Sequence, residues 1–114
     1  MPWKDIEKRR AAIRRHYYAN RQDYIDKAQR RRRQLRKWLQ KLKESTPCHD
    51  CGNIFPYYVT DFDHVGPKSM NISKLVFSGN AKKLRDELTN CELVCSNCHR
   101  IRTFNRINDR QSVK

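Results

Sequence analysis

Apolar and polar residues alternate with a helical period through the first 45 residues. The segment contains one proline, Pro2, and no glycine. Its apolar and aromatic positions recur mainly at spacings of three, four and seven, and Arg and Lys fill the other faces. These positions are Ile6, Ile13, Tyr17, Tyr24, Ile25, Ala28, Leu35, Trp38, Leu39 and Leu42. The pattern predicts amphipathic helices.

Two helices are predicted here, over residues 5–19 and 21–44. Asn20 followed by Asp23 resembles a helix N-cap, and Ser45-Thr46-Pro47 ends the second helix. That helix would be about 36 Å long, close to one turn of duplex DNA at about 34–36 Å. Its apolar stripe is too narrow to fold alone, so the helices should dock on the rest of the chain, pair with another copy or order on nucleic acid.

After Pro47 the pattern changes to short elements. Residues 57–62 are rich in aromatic and β-branched side chains and predict a strand. The other predicted elements are a turn at 66–69, a short helix over 81–88 capped by Asn80, a strand at 92–94 and a helix from Asn97 to about Asn105. The chain therefore divides into a helical arm, residues 1–46, and a small mixed domain, residues 47–114.

Positive charge is concentrated in the arm. The chain has 26 Lys and Arg against 12 Asp and Glu, a net charge of +14, of which +11 falls in residues 1–46. Such an arm predicts a polyanionic partner, and a solubilising or disordered tail is the alternative. The predicted nucleic-acid-binding surface, which could also be a plain solvated helix face, contains Arg30, Arg31, Arg32, Arg33, Arg36 and Lys37.

Four of the five cysteines form two Cys-x-x-Cys pairs, Cys48/Cys51 and Cys95/Cys98. Two residues between cysteines let one turn present both sulfurs to one ion, so the pairs predict a structural Zn²⁺ site. The alternative is that Cys48 or Cys95 is simply a small buried residue. Cys91 is expected to be buried, with a minor alternative as a replacement ligand.

The sequence also bounds the location of the protein. No stretch is apolar and long enough to span a bilayer, and the first residues lack the apolar core of a secretory signal. Paired cysteines in such a chain favour metal thiolates over disulfides. We therefore expect a cytoplasmic protein without a membrane partner.

A second group of residues has the chemistry of a catalytic metal site. Asp63 can hold a hard divalent cation, while His64, on the opposite side of the strand pleat, could activate water. His99 can supply a second ligand from the last helix, and Asn90 could hold the backbone or ring of His64. Each signal is weak alone, since an Asp-His step is usually a surface pair and an asparagine such as Asn90 usually ends a helix.

Together, Asp63-His64, Asn90 and Cys95-x-x-Cys98-His99 resemble the HNH nuclease family. Residues 61–65 and 91–100 look like the zinc-containing branch common in bacteria and phages. The resemblance covers about residues 45–106. It implies an α+β fold, a small ββα-metal (His-Me finger) core with a four-cysteine zinc site, here preceded by the basic helical arm.

The resemblance also implies roles. His64 would be the general base, Asn90 the positioning residue, and Asp63 with His99 the ligands of a catalytic Mg²⁺, Mn²⁺ or Ni²⁺. Some relatives carry a further histidine where this chain has Thr103. Asp61 is expected to support the site. The arginines expected near the scissile phosphate are Arg100, Arg102 and Arg106, although a solvated face is an equal alternative.

The expected activity is hydrolysis of double-stranded DNA to 5′-phosphate and 3′-hydroxyl ends. One active centre cuts one strand, so the protein could act as a nickase, as a monomer or a homodimer, in a bacterial or phage-infected cell. Two alternatives stay open at this point. One is a zinc-stapled DNA-binding module without catalysis, and the other is an RNA-directed protein.

Overall fold

The computed structural model describes residues 2–112, so the outermost ends of the arm and of the mixed domain, at residues 1, 113 and 114, lie outside it. The described chain has five helices and two strands. In chain order they are α1 (Pro2–Ala19), α2 (Arg21–Ser45), β1 (Thr60–His64), α3 (Ile72–Ser78), α4 (Ala81–Leu88), β2 (Cys91–Cys95) and α5 (Ser96–Ser112).

A single residue, Asn20, joins α1 to α2. Its backbone N–H donates to the His16 carbonyl at 3.0 Å, and its own carbonyl accepts from Tyr24 N–H at 3.2 Å. The predicted side-chain cap is wrong, because Asn20 makes no cap hydrogen bond to α2 and instead donates from Nδ2 to the His16 carbonyl at 2.8 Å. No described residue of α1 is buried, and its aromatic contacts across the turn are to Tyr24 of α2.

The second half of α2 docks on the mixed domain. Leu35 and Leu39 pack against a buried cluster formed by Leu75, Val76 and Leu84. Farther along α2, Lys43 Nζ donates to the Thr60 carbonyl at 3.2 Å. Of the three outcomes expected for the arm, docking thus describes this half of α2, and the docking buries apolar surface that α2 could not cover alone.

The two strands form an antiparallel sheet that leads directly into α5. Thr60 lies opposite Cys95 and His64 opposite Cys91, and α5 begins at Ser96, the residue after β2. Strand, strand and helix therefore form a compact ββα unit. The predicted α+β class is confirmed.

Three sequence-based assignments differ from the structure. Residues Tyr57–Val59 form a 3₁₀ turn rather than strand, because Val59 N–H closes back onto the Pro56 carbonyl at 3.0 Å, and the strand covers Thr60–His64. Helix α3 was not predicted. The last helix runs to Ser112, well beyond Asn105.

The apolar core is small and divided. One buried cluster consists of Cys48, Val94 and Cys95, and the other is the cluster beneath α2. Cores of this size give a domain limited stability, so a metal cross-link would contribute strongly to folding. Within residues 2–112, no helix combines the length and apolar character needed to cross a membrane.

Candidate metal and catalytic centre

The four cysteines of the two pairs converge at one point. Their sulfurs lie within 4.8 Å of one another, and no other group of three or more potential ligands meets this way in the described part of the chain. Backbone N–H groups point at the sulfurs: Cys95 donates to Cys48 Sγ at 3.3 Å and Cys98 to Cys95 Sγ at 3.4 Å. The cluster could bind a structural zinc ion.

The thiols of this cluster have unequal acidity. Burial disfavours the Cys48 thiolate, but backbone hydrogen bonds from Cys51, Cys95 and Asp50 outweigh it and lower its pKa to about 6. Hydrogen bonding to Cys95, together with burial, raises the pKa of Cys98 to about 12. Four thiolates this close repel each other, so ionising all of them requires a thiophilic cation between them.

Cys91 stands apart from the cluster. Its thiol donates to the Glu87 carbonyl at 3.5 Å, and burial raises its pKa to about 11. It is a neutral, half-buried thiol rather than part of the four-cysteine set.

Asp63, near the end of β1, is a buried carboxylate held by two arginines. It is 5% exposed. Arg106 donates to both of its oxygens, at 2.9 and 2.6 Å, and Arg102 donates to Oδ2 at 2.9 Å. Hydrogen bonds from Arg106, opposed by burial and reinforced by Arg102, lower the pKa of Asp63 to about 2. It is therefore an anion at neutral pH.

His99, in the first turn of α5, lies between two carboxylates of β1. Its Nδ1 is 3.3 Å from Asp61 Oδ2, and its Nε2 is 3.8 Å from Asp63 Oδ1. Because the Asp61 carboxylate accepts, Nδ1 is the donor, and in the neutral form of the ring the lone pair lies on Nε2, which faces Asp63. A nitrogen lone pair and a carboxylate oxygen repel each other unless a proton or a cation lies between them.

This pair of ligands fits a divalent ion. A separation of 3.8 Å is spanned by one cation about 2.1 Å from each atom. The hydrogen bond from His99 to Asp61 is the support that metal-binding histidines usually have. Asp63 Oδ1 accepts one hydrogen bond from Arg106 and keeps a second lone pair for a ligand.

His64 points to a different partner, Glu87 of α4. Its Nε2 lies 3.1 Å from Glu87 Oε1, and the Glu87 side chain is 6% exposed. Ser69 donates to Glu87 through its N–H, at 3.1 Å, and through its hydroxyl. The Ser69 hydrogen bonds, opposed by burial, lower the pKa of Glu87. Because an ionised Glu87 only accepts, His64 Nε2 is the donor, and in the neutral form of the ring the lone pair lies on Nδ1.

Asn90 contacts the loop after His64 through its main chain rather than contacting His64 itself. Its backbone carbonyl accepts from Val65 N–H at 2.8 Å and from Gly66 N–H at 3.2 Å, the two residues that follow His64. A Cβ at Gly66 would lie 3.0 Å from Asn90 Oδ1, so a larger residue there would have to displace this amide by a few tenths of an ångström.

Arg102 joins α5 to three carboxylates. It donates to both oxygens of Asp50 at 2.6 Å, to Asp63 at 2.9 Å and to Glu92 at 3.0 Å. Asp63 and Glu92 lie directly opposite in the sheet, where like charges repel. Arg102 places a positive charge between these two carboxylates and ties them to the first cysteine turn, which contains Asp50.

The predicted DNA-contacting arginines therefore fall into two groups. Arg102 and Arg106 are engaged with Asp63, whereas Arg100 is exposed. On α2, Arg32 donates to the Phe77 carbonyl at 2.8 Å, and a Cβ at Gly79 would lie 2.7 Å from the Arg31 side chain. The exposed basic residues on that helix include Arg30, Arg33, Arg36 and Lys37.

Sequence reasoning missed Glu87 and the carboxylates of Asp50 and Glu92. An isolated glutamate on a predicted helix gives no sign of burial, because its partner is 23 positions away. Because side chains alternate along a strand, the sequence did indicate that Asp63 and His64 point to opposite sides of β1. It did not indicate which residues lie on each side.

One comparison with known proteins identifies a family. A family model described as HNH endonuclease matches residues 48–104, half of the chain, and the match includes both cysteine pairs and the centre around Asp63 and His99. No curated protein and no solved structure matches. The four-cysteine cluster supports the zinc-containing branch. Because this match covers residues 48–104, half of the sequence, the chain belongs to the HNH endonuclease family.

Proposed function

We propose that this protein is a metal-dependent endonuclease that hydrolyses DNA to 5′-phosphate and 3′-hydroxyl ends. The observation that carries the proposal is the Asp63–His99 pair, with Oδ1 and Nε2 3.8 Å apart, beside a histidine held by a buried carboxylate. Asp63 and His99 bind the divalent ion. The cysteine cluster holds the structural zinc that keeps β2 and α5 in place.

His64 acts as the general base. Glu87 accepts a hydrogen bond from Nε2 and so keeps the proton there. Nδ1, which then has the free lone pair, is the atom that takes a proton from water. The negative charge of Glu87 then stabilises the imidazolium that forms, as a carboxylate does in other histidine-based sites. Asn90 holds the loop after His64 through its carbonyl and so limits the movement of the ring.

The divalent ion, when bound, supplies Lewis-acid stabilisation of the charge that develops on the phosphoryl group and on the leaving 3′ oxygen. Arg106, partly exposed beside Asp63, is positioned to exchange one of its hydrogen bonds for a phosphate oxygen. Arg100 and the exposed arginines of α2 bind backbone phosphates farther away.

The proposed substrate is double-stranded DNA, cut one strand at a time because residues 2–112 contain one such Asp–His centre. The proposed setting is the cytoplasm of a bacterial cell or of a phage-infected host. Whether the protein acts as a monomer or as a homodimer sets whether a second cut follows the first.

The products provide a test of this proposal. Supercoiled plasmid incubated with the protein and Mg²⁺ or Mn²⁺ should yield open circles that DNA ligase reseals, because ligase requires a 5′ phosphate beside a 3′ hydroxyl. Open circles that ligase cannot reseal would contradict the proposed ends. Cleavage of an RNA transcript in preference to plasmid would redirect the assignment to RNA.

One observation favours a second candidate, a zinc-stapled DNA-binding module without catalysis. Arg102 and Arg106 together contact both oxygens of Asp63, so this carboxylate could serve only to anchor α5. The two candidates differ in the wild-type protein, because only the nuclease cuts the DNA that it binds. In the nuclease, Asp63→Asn should abolish that cleavage while DNA binding remains.

A further inference from the structure

An open groove of about 660 Å³ runs between α2 and the ββα unit, a volume in the range of about 300–1,000 Å³ typical of ligand sites. Asp61 and His99 line the groove, so it meets the candidate metal centre. Arg36 and Lys43 line it from α2. A molecule bound there would touch both the catalytic centre and the basic helix.

Of the two cations that line the groove, Lys43 is held by the Thr60 carbonyl, and Arg36 is available for a ligand. Arg36 is exposed and makes no hydrogen bond or ion pair with any residue from 2 to 112. It also lines a second groove of about 430 Å³, together with Arg32 and Arg33, one turn back along α2. The Cβ atoms of arginines one helical turn apart are about 5–6 Å from each other. This spacing suits contact with the phosphate backbone of one DNA strand.

The groove also has an aromatic wall. Phe77 lines it and is 61% exposed. The guanidinium of Arg32 lies 3.8 Å from the centre of its ring, and the same side chain donates to the Phe77 carbonyl. Arg32 therefore fixes the ring in place. Phe62, on β1, adds a second aromatic surface.

Cations beside exposed aromatic rings are the features that bind unpaired nucleotides, because phosphates pair with the cations and bases stack on the rings. A paired duplex keeps its bases stacked on one another and has none to offer Phe77. We propose that this groove binds an unpaired nucleotide adjacent to the scissile phosphate. The inference rests on the proposed nuclease function and adds that the preferred DNA carries a locally unpaired site.

The test measures binding separately from cleavage, by fluorescence anisotropy of the full-length, zinc-loaded His64→Ala variant. Two labelled duplexes of the same sequence are compared, one fully paired and one with a three-nucleotide central bubble. The bubble should bind about tenfold more tightly. Adding Phe77→Leu should remove that preference and leave affinity for the paired duplex unchanged, and adding Arg36→Gln should weaken binding to both.

Matched controls are Tyr58→Leu, an exposed aromatic residue outside the groove, and Lys82→Gln, an exposed cation on α4. Neither should change the preference. Equal affinity for the two duplexes, or a preference that survives Phe77→Leu, would overturn the inference even if the wild type cuts plasmid. Tight bubble binding by a protein that cuts nothing would refute the proposed function instead and leave the groove assignment standing.

Discussion

His64 and Glu87 form a largely buried hydrogen-bonded pair, with Nε2 and Oε1 3.1 Å apart. Ser69 holds the carboxylate from the other side. The pair connects the candidate base on β1 to α4, an element with no other evident part in the site. A buried carboxylate aimed at a histidine is a costly arrangement unless both groups are satisfied, which here they are.

Glu87→Gln should therefore lower kcat about tenfold, a part of the 10²–10⁴ that a general base contributes, and leave KM unchanged. Glutamine keeps an acceptor oxygen for His64 and for the Ser69 N–H but removes the negative charge. Steady-state nicking of plasmid measures both constants, with circular dichroism to verify folding. Asp86→Asn, the exposed neighbour on α4, is the control and should match wild type. Equal kcat for the two variants would exclude a role for the Glu87 charge.

Loss of the cysteine cluster should unfold the mixed domain, because a structural zinc contributes on the order of 10–16 kcal/mol of apparent folding free energy. Cys48→Ser or treatment with a strong chelator should abolish the cooperative thermal transition. His64→Ala should retain that transition and lose cleavage. If both variants unfold alike, the division into a structural and a catalytic site is wrong.

Arg102→Gln should destabilise the protein by about 3 kcal/mol. It leaves Asp63 and Glu92 opposite each other in the sheet with less positive charge between them. Urea unfolding of the zinc-loaded protein gives the free energy. Arg100→Gln, on the same helix and exposed, should cost little, and a similar loss for both would show that net charge rather than the three-carboxylate contact matters.

The arm should divide at Asn20 rather than at residue 46. Removing residues 1–20 should change the free energy of unfolding by less than about 1 kcal/mol, because no described residue of α1 is buried. Removing residues 1–46 also deletes Leu35 and Leu39 from their cluster and should cost about 4 kcal/mol or more. Thermal melts of both truncations check this, and equal stability would mean that α2 does not dock in solution.

The zinc cluster and the helical arm could be predicted from sequence because their signals are local. Two residues between cysteines define a metal turn, and a period of 3.6 residues defines a helix. Helix α3 escaped prediction because its apolar run, Leu75-Val76-Phe77, fits strand and helix equally well. Packing of Leu75 and Val76 beneath α2 decides the question.

The first half of the strand predicted at residues 57–62 is wrong for a similar reason, while residues 60–62 do lie in β1. Aromatic and β-branched residues favour strands, but the 3₁₀ turn after Pro56 takes Tyr57–Val59 out of the sheet. In the site, Asp63, His64 and His99 could be identified from the sequence because they belong to a recognisable motif. The ion pairs of Arg102 join residues up to 52 positions apart, and no sequence pattern encodes such a contact.

The central claim is that the centre around Asp63, His64 and His99 cuts DNA. Its most direct test is conversion of supercoiled plasmid by zinc-loaded protein in Mg²⁺ or Mn²⁺, comparing wild type with a folded His64→Ala variant. Wild type should yield open circles and the variant should leave the plasmid intact, with both proteins shifting the plasmid on a gel. Wild-type protein that shifts the plasmid but leaves it supercoiled under every divalent ion would contradict this claim.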